Sequence, residues 1–162
     1  SAAQDNFMQQ INYDSEAIAP YPPVGPSRPQ ETDLMENAEA LELSSSVNFV
    51  QSDLLEKAPG PFKLIVANLP YVTSSEMADV SAEVLHDPPT ALDGGADGLD
   101  LIRRLIVDAA THLSPGGNIV LEIGAAQADA TQMLLKDGPF NEITCLTDLS
   151  GRDRFVKASR TN

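Results

Sequence analysis

The residues Asn68, Leu69, Pro70 and Tyr71 follow directly on an apolar run, FKLIVA, at 62–67. Asn68 offers an amide oxygen that accepts hydrogen bonds. Because Leu69 precedes a proline, its backbone is biased to an extended conformation that holds its carbonyl group outward. Two acceptors in a fixed arrangement can bind both hydrogens of one NH₂ group, and the Tyr71 ring offers a flat face for a planar amide or base.

This arrangement suits methyl transfer to a planar nitrogen. The lone pair of a carboxamide nitrogen or an exocyclic amine is delocalised, so the nitrogen is a weak nucleophile. Binding both hydrogens fixes that nitrogen and favours a more tetrahedral geometry, from which the lone pair can attack the sulfonium methyl group of S-adenosylmethionine in line. The same four residues also fit an ordinary turn after a strand, since Asn and Pro are common turn formers.

Strands alternate with helices on both sides of the tetrapeptide. Strands are predicted at 47–51, 62–67, 118–123, 142–147 and 154–159, and helices at 33–43, within 97–113, and at 126–136. The connector between the last two strands is too short for a parallel crossover, so they are predicted to form an antiparallel hairpin. The pattern indicates an α/β fold with helices on both faces of a largely parallel sheet, the arrangement of class I methyltransferases.

Composition narrows the class of protein. The chain has 162 residues, of which 42 % are hydrophobic, and this predicts one domain with a packed core. The single cysteine cannot form an internal disulfide, and there is neither a signal peptide nor an apolar run of about 18 residues, so a cytoplasmic location is expected. The net charge of −14 argues against naked nucleic acid as a partner, because phosphates are bound by Lys and Arg.

The first thirty residues differ in composition from the rest. Five prolines lie within PYPPVGPSRP, residues 20–29. Proline fixes its own backbone and lacks a donor. The sequence therefore predicts an irregular, Pro-rich amino-terminal segment at 1–30 and a partial methyltransferase domain at 31–162.

From about residue 34 to residue 160, the sequence resembles the release factor glutamine methyltransferase family, the HemK-like class I enzymes. The matching stretches occur in the family's order: ENAEALEL, VNFVQSDLLE, FKLIVANLPYV, ALDGGADGLDLIRRLI, LSPGGNIVLEIG with Gln127 nearby, and DLSGRDRFVKA. The family's usual tetrapeptide is Asn-Pro-Pro-Tyr, and Leu69 replaces the first proline here. Adenine-N6 methyltransferases share the tetrapeptide, whereas its combination with ALDGGADGLD and DLSGRDR is more specific to the glutamine enzymes.

The resemblance implies methyl transfer from S-adenosylmethionine to a glutamine side chain in the Gly-Gly-Gln loop of a peptide chain release factor. Asn68 and the Leu69 carbonyl would hold the glutamine amide within the Asn68–Tyr71 tetrapeptide, and Tyr71 would pack on it. Asp53 and Leu54 would lie near the adenine of the cofactor, which Asn68 would also adjoin. A ribosomal-protein glutamine is a close variant of this substrate, and no metal site is predicted.

The donor side of the family's site has no counterpart in this sequence. The family's glycine-rich loop, Asp-x-Gly-x-Gly-x-Gly, should precede the 33–43 helix, where Gly25 is the only glycine. The acidic residue for the cofactor ribose and the family's helical amino-terminal domain are not found either. The sheet is therefore predicted to lack its first strands, with residues 8–19 lending one short strand at most. We expect weak or no cofactor binding by the monomer, and a homodimer is one way to complete the sheet.

Two other functions stay open. An adenine-N6 nucleic-acid methyltransferase is disfavoured by the charge, and a non-catalytic fragment or degenerate copy is favoured by the missing loop. Asp87, Asp93 and Asp97 are expected to form a solvated acidic cluster, with Asp97 as a possible cap of the helix that follows. Glu122 is expected either to be paired structurally or to support the site, and Cys145 is expected in the core.

Overall fold

The computed structural model describes residues 7–11, 16–21, 31–75 and 94–162, with the backbone alone for those before residue 35 and for Gln51. Ten elements follow one another along these ranges: β1 Phe7–Ile11, β2 Glu16–Tyr21, α1 Glu31–Ala40, β3 Val47–Gln51, β4 Phe62–Asn68, α2 Asp100–His112, β5 Leu113–Glu122, α3 Ala128–Lys136, β6 Phe140–Thr147 and β7 Asp153–Arg160. Within these ranges no helix has the length and apolar character needed to cross a membrane.

The seven strands form one sheet in the order β3-β1-β2-β4-β5-β7-β6. The central strands β2, β4 and β5 are parallel, whereas β7 is antiparallel to both β5 and β6. The predicted α/β fold with a terminal antiparallel hairpin is therefore confirmed.

The position between β3 and β4 is filled by two strands. The hairpin of β1 and β2 pairs with β3 on one side and with β4 on the other. The expectation that residues 8–19 lend one strand at most is therefore wrong, and no second copy of the chain is needed to fill this position. A gap there would leave the backbone groups of β3 and β4 unpaired, which favours any segment that can bond to them. The division of the chain at residue 30 stays a prediction.

The core lies between the central strands and α2. The apolar stripe expected from the sequence is entirely buried: Leu99, Ile102, Ile106, Ala109 and Leu113. Besides Leu113, the most deeply buried residues of β4 and β5 are Phe62, Ile65, Ala67, Ile119 and Leu121. The run FKLIVA is thus a strand that is buried at Phe62, Ile65 and Ala67, half-buried at Leu64 and Val66 and exposed at Lys63. Cys145 is half-buried against the same core.

Two element boundaries differ from expectation. Helix α2 begins at Asp100 with Leu99 as its N-cap residue, so Asp97 lies before the helix and is not its cap. Strand β5 begins at Leu113 rather than at residue 118. The pairing of β5 with β4 shifts register between Phe62 and Leu64. Residues 114–117, for which the sequence predicts a turn, are the extra residues of β5 at this shift.

Candidate functional site

Three strand ends meet at one edge of the sheet. Asn68, the last residue of β4, pairs with Glu122, the last residue of β5. Glu122 in turn pairs with Phe155, near the start of β7. In sheets of this kind the carboxyl ends of the parallel strands are where ligands bind. The tetrapeptide that begins at Asn68 therefore lies where a binding site is expected.

The two proposed acceptors are held in place, and no described residue donates a hydrogen bond to them. The Leu69 side chain is only 2 % exposed, which anchors the backbone that carries its carbonyl group. The loop hydrogen bonds of the residues described here leave the Leu69 carbonyl without a donor. The half-buried side chain of Asn68 likewise has no hydrogen bond within the described ranges. This edge thus offers two acceptors next to each other.

The ring of Tyr71 is fixed at its hydroxyl group. Nη1 of Arg154 donates a hydrogen bond to Tyr71 Oη at 3.3 Å. The same guanidinium lies 3.8 Å from Glu122 Oε1 and 3.9 Å from Asp148 Oδ2, so two carboxylates hold it. Glu122 is therefore paired with Arg154, as one of the two expectations for it stated. Through Arg154 it is also in indirect contact with the tetrapeptide.

Gln127 fastens three loops with one side chain. Its Oε1 accepts a hydrogen bond from the Gly124 N–H at 2.9 Å. Its Nε2 donates to the carbonyl oxygen of Tyr71 at 3.0 Å and to that of Asp97 at 3.3 Å. The loops that follow β4 and β5 and the loop that precedes α2 are thus tied together behind the tetrapeptide.

The loop GGADG, residues 94–98, packs directly on the tetrapeptide. The Gly94 N–H donates to the carbonyl oxygen of Val72 at 2.8 Å. Gly98 has φ of +74°, and a Cβ added to it would overlap the Tyr71 carbonyl oxygen and Gln127 Nε2. Glycine is needed at this position for two reasons, the left-handed backbone and the close approach.

Asp97, expected in a solvated acidic cluster, is half exposed and forms an ion pair. Its carboxylate accepts a hydrogen bond from the Leu99 N–H at 3.1 Å and forms an ion pair with Arg103. The hydrogen bond from Arg103 is the main reason that the pKa of Asp97 is lowered from its ordinary value. Asp87 and Asp93, the other members of the expected cluster, lie outside the described residues. Within those residues, no group of three or more His, Cys, Asp and Glu side chains could hold a metal ion.

The loop after β3 carries Asp53 and Leu54, the two residues expected near the adenine of the cofactor. Asp53 Oδ2 accepts a hydrogen bond from Arg104 at 2.7 Å, whereas Asp53 Oδ1 is buried and has no partner in the part of the chain that is described. Leu54, fully buried, follows with φ of +47°. An unpartnered carboxylate oxygen suits the exocyclic amine of an adenine. These residues therefore fit one end of S-adenosylmethionine.

The other end of that cofactor has no matching residues among those described. Strand β2 is parallel to β4, so the segment after β2 begins at the same edge as the tetrapeptide. Residues 22–30 follow β2, and Gly25 is their only glycine. Phosphate- and ribose-binding loops at this position of parallel sheets use several glycines for close approach of the backbone. The fit to the cofactor is thus partial.

Sequence reasoning missed the parts played by Gln127 and Arg154. Both residues lie in stretches that carry the family resemblance, LEIG with Gln127 nearby and DLSGRDR. Their one further signal is position, since each adjoins a strand end at the edge that carries Asn68. Nothing in a lone Gln or Arg indicates which carbonyl or hydroxyl group it contacts.

Known proteins similar in sequence are glutamine methyltransferases, although no protein-family model matches the chain. The release factor glutamine methyltransferase of Cereibacter sphaeroides is 43 % identical over 124 residues, 76 % of this chain and 45 % of that protein. That of Bradyrhizobium diazoefficiens is 47 % identical over 126 residues, 76 % and 42 % respectively. The ribosomal protein uL3 glutamine methyltransferase of Neisseria gonorrhoeae is 36 % identical over 120 residues, 74 % and 38 %. The chain thus spans less than half the length of these relatives.

Solved structures support the fold. The ribosomal protein L11 methylase of Lactobacillus delbrueckii subsp. bulgaricus matches with a TM-score of 0.53 and 23 % identity, over 81 % of this chain and 53 % of that one. A methyltransferase of Pyrococcus furiosus matches with a TM-score of 0.53 and 13 % identity, over 82 % and 60 %. Taken with the sheet order, these matches identify a class I methyltransferase sheet. The matched part of the chain belongs by sequence to the release factor glutamine methyltransferase family.

Proposed function

We propose that this chain carries the acceptor site of an S-adenosylmethionine-dependent protein-glutamine N5-methyltransferase. Asn68 and the Leu69 carbonyl hold the two hydrogens of a glutamine side-chain amide. The observation that supports this most directly is that the Asn68 side chain has no hydrogen bond within the described ranges, in contrast to its neighbours. The groups around it are fastened by Gln127 and Arg154.

The chain's own contribution is positioning. Asn68 and the Leu69 carbonyl are hydrogen-bond acceptors and not bases at neutral pH, so they orient the nitrogen rather than remove its proton. The buried Leu69 side chain and the Gln127 hydrogen bonds keep the two acceptors from moving when the amide arrives. An arrangement fixed in advance reduces the entropy that the reaction must otherwise lose. S-adenosylmethionine supplies the methyl group when it is bound, and the proton that the amide nitrogen loses passes to water.

The protein substrate follows from the chemistry and from the relatives. An acceptor pair of this kind recognises a primary carboxamide, and the relatives are named for glutamine in release factors or in ribosomal protein uL3. We assign a release factor as the protein substrate and the cytoplasm as the location. The net charge of −14 disfavours an adenine in naked nucleic acid, the alternative planar amine.

A non-catalytic amide-binding protein is the second candidate. The observation that favours it is the donor side, where the segment after β2 contains a single glycine. The two candidates share the acceptor site and differ only in whether a methyl group is transferred.

Incubation with S-adenosylmethionine and a Gly-Gly-Gln peptide tests the proposal, with mass spectrometry to detect one added methyl group. A Gly-Gly-Glu peptide is the matched control, because its carboxylate lacks the NH₂ group. Calorimetric titration with S-adenosylhomocysteine is run alongside. Methylation of the Gln peptide alone supports the enzyme, and binding of that peptide without methylation supports the second candidate. If the chain binds neither peptide, or binds both equally, the acceptor assignment is wrong.

A further inference from the structure

The turn between β6 and β7, residues 148–152, lies at the same edge of the sheet as the acceptor site. Strand β7 begins beside the carboxyl end of β5, because Phe155 pairs with Glu122. The turn that precedes β7 therefore projects from the edge that carries Asn68. Two strand spacings separate β4 from β7, and a further few residues reach the tip, which places Leu149 on the order of 10–15 Å from Asn68.

Leu149 is fully exposed at the tip of this turn. A single exposed leucine is common on protein surfaces and does not by itself indicate a site. Two further features set this one apart, namely the rigidity of the turn that carries it and a chain of contacts from that turn to Tyr71.

The turn is closed by four hydrogen bonds around Asp148. The backbone N–H groups of Ser150 and Arg152 donate to Asp148 Oδ1 at 2.8 and 3.0 Å. The Asp148 N–H donates to the Arg152 carbonyl oxygen at 2.8 Å, and the Gly151 N–H donates to the Asp148 carbonyl oxygen at 3.0 Å. The backbone at Leu149 is thus fixed in an exposed position, and a contact made by a pre-ordered backbone loses less entropy.

The same aspartate links the turn to the acceptor site. Asp148 Oδ2 lies 3.9 Å from Arg154 Nη2, and Arg154 Nη1 donates to the hydroxyl group of Tyr71. A ligand seated on Tyr71 and a ligand seated on the turn would therefore contact one connected structure.

We propose that the β6–β7 turn is a contact surface for the polypeptide that presents the acceptor glutamine, with Leu149 as its apolar contact. The inference rests on the proposed function, since it needs a glutamine bound at Asn68. An extended chain covers about 3.3–3.6 Å per residue, so the turn meets substrate residues about three or four positions from that glutamine. The occupant is a protein, because the chain's acidity disfavours nucleic acid.

Ligand length tests this proposal, with binding followed by two-dimensional NMR of the ¹⁵N-labelled chain. Three ligands are compared: an N-acetylated Gly-Gly-Gln amide, a peptide of about twelve residues with that tripeptide at its centre, and an intact bacterial release factor. The variants are Leu149→Ala, the conservative Leu149→Met, and Val107→Ala, a control that truncates another exposed apolar side chain, 70 % exposed on α2. Leu149 has no buried contact to lose, so its variants should keep the melting temperature of the wild type.

We expect Leu149→Ala to weaken binding of the two longer ligands about tenfold and to leave the tripeptide unchanged. Leu149→Met and Val107→Ala should bind all three as the wild type does. Equal binding of the longer ligands by Leu149→Ala would overturn the contact. Equal weakening of all three would also overturn it, because the turn would then act only through Tyr71. If the wild type binds none of the three ligands, the acceptor site itself is wrong, and that result is distinct from the other two.

Discussion

The side-chain amide of Gln127 donates a hydrogen bond to the carbonyl oxygen of Tyr71, across 3.0 Å. Gln127 follows β5 and Tyr71 follows β4, so one side chain joins the loops at the ends of two parallel strands. Because Gln127 Oε1 accepts from the Gly124 N–H, the orientation of the amide is set by its partners, with the donors toward Tyr71. The acceptor tetrapeptide is thereby held at the Tyr71 carbonyl group.

Replacing Gln127 by Glu should destabilise the protein more than replacing it by Ala. A carboxylate has no donors, and it would face two carbonyl oxygens, those of Tyr71 and Asp97, where the native amide donates. We expect a loss of about 1–3 kcal/mol in the free energy of unfolding, measured by urea titration. Gln132→Glu on α3 is the control, since no described hydrogen bond involves the Gln132 side chain. If Gln127→Glu and Gln132→Glu lose the same free energy of unfolding, the Gln127 hydrogen bonds do not hold the loops together.

Gly98→Ala and Gly116→Ala form a matched pair, because both glycines have φ of +74°. A Cβ at Gly116 meets nothing within 4 Å, so that variant should lose only about 1 kcal/mol for its backbone conformation. A Cβ at Gly98 would overlap the Tyr71 carbonyl oxygen and should cost clearly more. Thermal unfolding of the two variants gives the comparison, and similar melting temperatures would mean that the 94–98 loop is not packed on the tetrapeptide.

The stability of the protein should depend on the ionisation of Asp97. The hydrogen bond from Arg103 lowers the pKa of Asp97 from its ordinary value of 3.8, so the folded protein binds this proton less tightly than the unfolded chain does. The resulting stabilisation is present above pH 3.8 and is lost as the pH falls through the folded-state pKa. Urea unfolding should therefore show Asp97→Asn less stable than wild type at about pH 6, with a smaller difference below about pH 3. An equal difference in stability between Asp97→Asn and wild type at the two pH values would contradict this prediction. Half of the Asp97 side chain is exposed, so added salt should reduce the effect.

Arg154→Ala should release the ring of Tyr71 without unfolding the chain. The protein has three tyrosines and no tryptophan, so Tyr13→Phe and Tyr21→Phe leave Tyr71 as the only tyrosine signal. In that background, with ¹³C-labelled tyrosine, we expect the ring resonance to move when Arg154 is replaced, because its hydroxyl loses a charged donor. Arg152→Ala is the control, since no described hydrogen bond involves the Arg152 side chain. If the Tyr71 ring resonance is the same in Arg154→Ala as in the wild type, Arg154 does not bind the Tyr71 hydroxyl group. The β6–β7 turn would then have no link to the acceptor site.

The elements that the sequence predicts well have a strong local signal. The apolar run FKLIVA predicts a strand, and the connector between β6 and β7 is too short for anything but a hairpin. The start of β5 was harder, because Pro115, Gly116 and Gly117 favour a turn. These residues lie in an irregular stretch of strand whose pairing with β4 shifts register, a tertiary effect that overrides local propensity.

The hairpin of β1 and β2 shows more clearly that tertiary pairing can override local propensity. Pro20 lies within β2, a central strand, although proline cannot donate a hydrogen bond there. The ladder between β2 and β4 accordingly runs only from Glu16 to Ile18. Without β1 and β2, the backbone groups of β3 and β4 that face each other would lack partners. That requirement, and not local propensity, accounts for β1 and β2. At the site, residue type and spacing predict Asn68 and Leu69 as acceptors, and this stays a prediction, whereas the roles of Gln127 and Arg154 depend on contacts between distant strand ends.

The most direct test of the acceptor site compares Asn68→Ala with Asn118→Ala in binding an N-acetylated Gly-Gly-Gln amide, followed by NMR titration. Asn118 Oδ1 contacts the Ser159 hydroxyl at 2.9 Å within the structure, so Asn118→Ala should lower stability and leave peptide affinity unchanged. Asn68 has no such contact with the described residues, so Asn68→Ala should keep the stability of the wild type and weaken peptide binding about tenfold. Unchanged peptide affinity in Asn68→Ala would contradict the assignment of Asn68 as the residue that holds the glutamine.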